Sequence, residues 1–291
     1  MVPVVFLLPA YLCAAPDPSL PLLVDAAWLE RHRNEPGLVV AQIHTLKRDY
    51  VRGHLPGARF LWSNAIAPST PEGTYDLPTR AQAVALFREL GLGRSSRLIL
   101  VHSGAQLAPA ARALLTFEHF GLKGRVALLD GGLDAWKAAG GKLEEAAPRP
   151  VKGVASPARG GEEFVDAGYI QSRLGRVGWS LVDARTANFY QGDLGGQPRG
   201  GHLPGAVNLA STSLLNGGRL KPREELAKLF AAAGLPPNGE LVAYCHIGQQ
   251  ASLVWLAARL LGYDAKLYDG SFEDWAGRPE LPLEKPAPTP K

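Results

Sequence analysis

Thiols and charge blocks are scarce in this chain. Its 291 residues include two cysteines, Cys13 and Cys245, and one methionine. Two thiols in such different surroundings make neither a disulfide framework nor a zinc site, so Cys245 is expected to be free and no metal or cofactor is called for. The formal charge of +4 comes from Lys and Arg scattered among acids, without a run of five basic residues or interleaved aromatics. That pattern excludes the footprint of a nucleic-acid binder. Long hydrophobic runs are missing too. The apolar stretch Val2 to Leu12 is broken by Pro3 and Pro9, and at about a dozen residues it is too short for a stable membrane span. Followed by Ala14 and Ala15, it has the form of a secretory h-region and cleavage zone, although no Lys or Arg precedes it. Residues 1–16 are read as a signal peptide, an N-terminal arm packed on the body, or the product of a start codon chosen too early. The protein would be periplasmic or secreted in the first case and cytoplasmic otherwise.

What remains is ordinary globular material, 46% hydrophobic and 20% charged, and long enough for two full cores. An internal repeat organises it. Gly53-His54-Leu55-Pro56-Gly57-Ala58 recurs as Gly201-His202-Leu203-Pro204-Gly205-Ala206. Leu38-Val39-Val40 with Ala41 parallels Leu181-Val182-Asp183-Ala184, each a buried strand ahead of the repeated turn. Amphipathic helices Ala83 to Leu90 and Glu224 to Ala232 end at Gly91 and Gly234, and strands Leu98 to Val101 and Leu241 to Tyr244 follow. Helices Ala110 to Phe120 and Leu253 to Leu261 then lead to strands Val126 to Leu129 and Ala265 to Tyr268, each followed by Asp-Gly. Strand and helix alternate in both halves, which predicts two tandem α/β domains, each a mainly parallel sheet flanked by helices on both faces. The predicted divisions are 1–16, an N-terminal domain over 17–143, a linker over 144–161 with Pro148, Pro150 and Pro157, a C-terminal domain over 162–283, and a Pro-rich tail over 284–291.

Cys245 stands where the strand Leu241 to Tyr244 gives way to a tight loop and a helix. There the loop amides and the unpaired N–H groups of the first helical turn would point at the sulfur and favour the thiolate. Gly248 lets the loop curl with φ > 0. The competing reading is an inert buried thiol. The first half carries His102 at the equivalent place, read either as a second catalytic group or as a degenerate loop serving packing and cleft formation; the second is preferred.

These residues resemble the tandem-domain rhodanese-like sulfurtransferases, which include thiosulfate and mercaptopyruvate sulfurtransferases. The resemblance rests on Val182-Asp183-Ala184-Arg185, both GHLPGA turns, the loop from Cys245 to Gln250, Leu129-Asp130-Gly131-Gly132-Leu133-Asp134-Ala135-Trp136 and Tyr268-Asp269-Gly270-Ser271-Phe272-Glu273-Asp274-Trp275. It implies two rhodanese-like domains and a ping-pong reaction. The Cys245 thiolate would take the outer sulfur of a small anionic donor as a persulfide and pass it to cyanide or a thiol, for instance that of a thioredoxin-like protein. It also implies a cradle formed by His246, Ile247, Gly248, Gln249 and Gln250, and a two-pronged grip of Arg185 on the donor's anionic end, the alternative for Arg185 being a domain-interface ion pair. Asp183 is read as a structural acceptor, and Arg199 as a surface residue in preference to a further anion contact. His54 and His202 are read as turn residues, and Trp136 and Trp275 as core. Thiosulfate-type members commonly carry Arg at the second loop position and mercaptopyruvate-type members Gly, whereas this chain has His246; thiosulfate is the expected donor, mercaptopyruvate the alternative.

Other cysteine chemistries fit less well. A phosphatase loop needs Arg after Cys and five residues, and here Ala251 and then Ser252 follow. A cysteine hydrolase needs a base facing the sulfur and a group to orient it. A non-enzymatic alternative is a carrier or partner-binding module that holds one persulfide without turnover.

Overall fold

The computed structural model describes residues 19–69, 76–104, 106–146, 148, 152–158, 160–193 and 196–285. The leader reading of residues 1–16, Cys13, and the tail prolines Pro286, Pro288 and Pro290 lie outside these residues.

Two five-stranded parallel sheets form the frame. The first contains β1 (Leu23–Val24), β2 (Leu38–His44), β3 (Arg59–Trp62), β4 (Arg97–Val101) and β5 (Val126–Leu129) in the order β1-β5-β4-β2-β3. The second contains β6 (Phe164–Val165), β7 (Trp179–Asp183), β8 (Val207–Asn208), β11 (Glu240–Tyr244) and β12 (Asp264–Tyr268) in the matching order β6-β12-β11-β7-β8. An antiparallel hairpin, β9 (Leu215–Asn216) with β10 (Arg219–Leu220), lies between β8 and β11. Central strands such as Leu98-Ile99-Leu100-Val101 are apolar at every position because helices cover both faces.

The first half carries helices α1 (Ala26–His32), α2 (Lys47–Val51), α3 (Arg80–Glu89), α4 (Leu107–Phe117) and α5 (Gly132–Ala138). The second half carries α6 (Ala167–Gln171), α7 (Ala187–Gln191), α8 (Arg223–Ala232), α9 (Ala251–Leu261) and α10 (Ser271–Ala276). Helix α3 starts three residues before the predicted Ala83. Thr79 and Gln82 form a reciprocal capping box there, which fixes the start upstream of the first apolar residue. Helix α4 ends at Phe117, and a wider turn over Glu118–Leu122 carries the chain on to Gly121.

Helices α4 and α9 are apolar on nearly every side because they lie between the two sheets. One core runs through both halves, from Val39, Leu100 and Leu114 to Leu241, Leu256 and Leu267. Each fully buried Leu in this layer contributes roughly 1.5–3 kcal/mol by leaving water, so the α4–α9 face fastens one half to the other. Ion pairs add to it: Arg112 Nη2 lies 2.5 Å from Asp269, and Arg259 Nη1 lies 2.7 Å from the buried Glu118 carboxylate. The outer faces of the sheets carry separate cores, one around Leu29, Ile99 and Trp136, the other around Tyr244, Phe272 and Trp275. Trp136 and Trp275 are core residues, as read from the sequence; their indole N–H groups donate to the carbonyls of Lys142 and Pro282.

The repeated histidines have the same surroundings in both halves. His54 is buried and stacks on Tyr50 at 3.9 Å, and its Nε2 lies 3.7 Å from Glu144. His202 stacks on Tyr190 at 3.7 Å, and its Nε2 lies 3.8 Å from Glu284. Glu144 pairs its backbone with His54 and accepts from the Gly57 N–H, while Glu284 does the same for His202 and Gly205. Each turn thus fastens the strand that leaves its own domain. Beyond Glu144 the chain stays on the first half, where the amides of Gly153, Val154 and Ala158 donate to carbonyls of Arg88, Leu92 and Phe120.

The pairing register corrects one sequence parallel. Gln42 faces Val101, the residue before His102, and Asp183 faces Tyr244, the residue before Cys245. Gln42 therefore matches Asp183, and Ala41 matches Val182 and not Ala184.

Candidate active site

Strand β11 delivers Cys245 to the carboxyl edge of its sheet, where ligands of open parallel sheets bind. The loop after it is clamped from outside. The Cys245 N–H donates to Ser271 Oγ at 3.2 Å, and Ser271 Oγ donates to the Tyr268 carbonyl at 2.8 Å. The Cys245 and His246 carbonyls accept from the amides of Phe272 and Glu273, both at 3.0 Å. Ser271 takes φ of 52°, unusual for a side-chain-bearing residue, and this turns its hydroxyl under the loop. No local pattern signals its part, since a serine after Asp-Gly reads as turn chemistry.

Gly248 takes φ of 83°, as expected, and its carbonyl accepts from Ser252 Oγ at 3.0 Å. Helix α9 has no side-chain N-cap. The N–H groups of Ile247, Gly248, Gln250 and Ala251 converge instead on the Cys245 sulfur, which stands where a Ser or Asp oxygen usually caps a helix. Ala251 was not among the predicted cradle residues. The helix start, two residues ahead of the predicted Leu253, brings its amide into the ring. Ile247, His246 and Gln249 are half-buried and Gln250 is exposed.

Cys245 is a free thiol and 1% exposed. Burial pushes it up from its ordinary value, and the four N–H groups pull the other way. The sequence reading expected the amides to win and favour the thiolate; desolvation of the enclosed sulfur outweighs them. Burial, followed by the nearby Arg185 charge, pushes His246 down, so its ring is neutral at neutral pH. The ring stands edge-on to Phe189 at 4.6 Å.

Arg185 is 1% exposed. Its Nε lies 3.0 and 3.1 Å from the two Asp183 oxygens, and its Nη2 donates to Asp183 at 2.6 Å and to the Gly201 carbonyl at 2.7 Å. Phe272 covers its face at 3.8 Å. The two-pronged grip expected for a donor is thus already made with Asp183, two residues away in the same domain, so neither the free fork nor the domain-interface pair describes it. Nη1 is buried and has no hydrogen-bond partner among the described residues. Asp183 also accepts from the Tyr244 hydroxyl at 2.8 Å, and that hydroxyl accepts from the Leu203 N–H, so the network joins the repeated turn to both central strands. Arg199 donates to the carbonyls of Trp275, Ala276, Arg278 and Leu281. It closes the end of α10 and is half-buried there, so the plain surface reading does not describe it.

The first half has neither group. His44 occupies the place of Arg185, with its Nε2 2.7 Å from Gln42, and Gln42 accepts from the Leu55 N–H. His102 occupies the place of Cys245, buried at 1% exposure and pushed down by that burial. Among the described residues no helix is long and apolar enough to cross a membrane.

The rhodanese-like domain family model matches twice, over residues 25–139 and 166–278. A thiosulfate sulfurtransferase of Azotobacter vinelandii is 32% identical over 268 residues, 91% of this chain and 98% of that one. A 3-mercaptopyruvate sulfurtransferase of Escherichia coli is 30% identical over 275 residues, 90% and 97% of the two chains. Among solved structures, the crystal structure of an Escherichia coli 3-mercaptopyruvate sulfotransferase with the rhodanese fold superposes with a TM-score of 0.77 at 28% identity, covering 87% of this chain and 99% of that one.

Proposed function

Because this chain belongs to the rhodanese-like sulfurtransferases, we propose that it moves a sulfane sulfur from a small anionic donor to a thiophilic acceptor through a persulfide on Cys245. The Cys245 thiolate attacks the outer sulfur of thiosulfate, the donor S–S bond breaks, and sulfite leaves with the electron pair. Cyanide or a thiolate then attacks the terminal sulfur of the persulfide, and the Cys245 thiolate leaves. Both enzyme forms are anions held in turn by one ring of N–H groups, without a proton passing to a distant base. The convergence of four amides on the Cys245 sulfur is the observation that carries this reading. Since burial raises the thiol, the reacting species is a thiolate fraction that grows with pH.

The Nη1 atom of Arg185 is the arm available to a donor oxygen, and the neutral imidazole of His246 adds one donor N–H. Thiosulfate is the proposed donor on the strength of this polar second loop residue. The offset of Arg185 by Asp183 speaks for mercaptopyruvate, with one negative charge fewer to accommodate. Intact mass after incubation with each donor separately is the test: a gain of one sulfur, lost in Cys245→Ser, is expected, and no gain with either donor overturns the reading. Release of many equivalents of sulfite from thiosulfate with cyanide present marks an enzyme; release that stops near one equivalent marks a carrier.

A further inference from the structure

A residue of the half that lacks Cys245 stands behind the cradle. Arg112 projects from the middle of α4, and its side chain is 1% exposed although it is charged. Groups of the other half stand around its guanidinium. Phe164 of β6 lies under it at 4.7 Å, and Asp269, directly after β12, accepts from Nη2 at 2.5 Å. A Cβ placed on Gly248 would stand 3.0 Å from Arg112 Nη1 and 3.0 Å from the Asp269 carbonyl oxygen. The two groups close on the one cradle residue whose φ is positive. Asp269 is itself held from the first half, where the Leu77 N–H donates to its other carboxylate oxygen at 3.0 Å.

We propose that Arg112 is a positioning residue for the sulfur-transfer site: it and Asp269 hold Gly248 from behind, so that the Gly248 N–H stays aimed at the Cys245 sulfur. The domain that lacks the cysteine then has a defined part in the chemistry. A planar fork suits this position because one arm engages the Asp269 carboxylate while the other stands against Gly248, in the space a side chain there would fill. Arg112 acts through the loop, by way of Gly248.

The inference rests on the persulfide reading, since it concerns the same loop, but its test reads the thiol itself. Alkylation of Cys245 by iodoacetamide is followed across pH by peptide mass spectrometry in the wild type, in Arg112→Gln and in Arg259→Gln. Arg259→Gln breaks another interdomain pair, at the far end of α9, and reports what a loosened interface alone does. Arg112→Gln is expected to alkylate about tenfold more slowly at pH 7, as one hydrogen bond to the ionised sulfur weakens, with the midpoint displaced upward; Arg259→Gln keeps the wild-type profile. Equal profiles for both variants, whether shifted or not, overturn the proposal while leaving the persulfide reading standing. If Arg112→Gln does not fold, Arg112→Lys takes its place. It keeps the charge but has no second arm, and an unmoved midpoint there likewise overturns the proposal.

Discussion

Replacing Gly248 by alanine tests the cradle most directly. An L-residue held in the left-handed region costs about 1–2 kcal/mol. The new methyl also meets Arg112 Nη1 and the Asp269 carbonyl at 3.0 Å, tighter than an ordinary Cβ contact, so a neighbour must give. Neither neighbour yields easily: Arg112 is buried between Phe164 and Asp269, and the Asp269 amide is bonded to the Val165 carbonyl. Overpacking of this kind adds about 1–3 kcal/mol, so Gly248→Ala is expected to be less stable by about 2–5 kcal/mol. Relief of the contact moves the loop. Losing one hydrogen bond to an ionised sulfur is worth about 1.5–3 kcal/mol, or roughly 10- to 150-fold in the transfer rate. Gly205→Ala is the comparator, because its φ of 74° is similar and nothing lies within 4 Å of an added Cβ. Urea unfolding and steady-state release of sulfite from thiosulfate are measured on both. A Gly248→Ala protein as stable as Gly205→Ala, with unreduced transfer, would show that the loop is not held as described.

Three further outcomes follow from the same physics. The alkylation rate of Cys245 in the wild type should keep rising with pH past the midpoint of a free cysteine, because burial raises the thiol and the reactive form is the deprotonated one; a midpoint below that of free cysteine contradicts the burial argument. Asp183→Asn leaves the Arg185 guanidinium buried without its counter-charge and should cost about 3–5 kcal/mol in unfolding free energy; a loss under about 1 kcal/mol would mean that the pair contributes little. His119, its ring Nδ1 3.4 Å from the Glu163 carboxylate, holds that carboxyl down at about 2 together with Lys123. A depressed carboxylate stabilises the fold above its ordinary range, and that contribution fades as pH falls towards about 2. The stability gap between wild type and Glu163→Gln should therefore narrow between pH 5 and 2, and a constant gap argues against the pairing.

The architecture was legible because the chain states it twice. The GHLPGA turns, the Asp-Gly pairs and the buried runs Leu98 to Val101 and Leu241 to Tyr244 fix the order of elements, and the second sheet repeats the first strand for strand. The two-residue strands β1 and β6 were not foreseen, since no periodicity can develop over so short a stretch. Nor was the true match of Gln42 with Asp183, because hydrophobic similarity aligned Ala41 with Ala184, and pairing register, a non-local property, had to decide. At the site, the position of Cys245 and the φ of Gly248 were readable from local chemistry. The parts of Ser271 and Arg112 were not: one acts through a turn 26 residues away and the other across a domain boundary. The balance at the sulfur was misjudged for the same reason. Helical amides can be inferred from neighbouring residues, but desolvation depends on which distant segments close over the atom.

The fastening of Glu144 and Glu284 onto the two repeated histidines alters what counts as one copy of the duplicated unit. A boundary drawn by hydrophobic residues alone falls at Leu283 and discards the carboxylate that satisfies the Gly205 amide. A protein shortened there keeps the apolar contacts described for its second half yet loses the latch that closes it, and its weakness would surface at the GHLPGA corner.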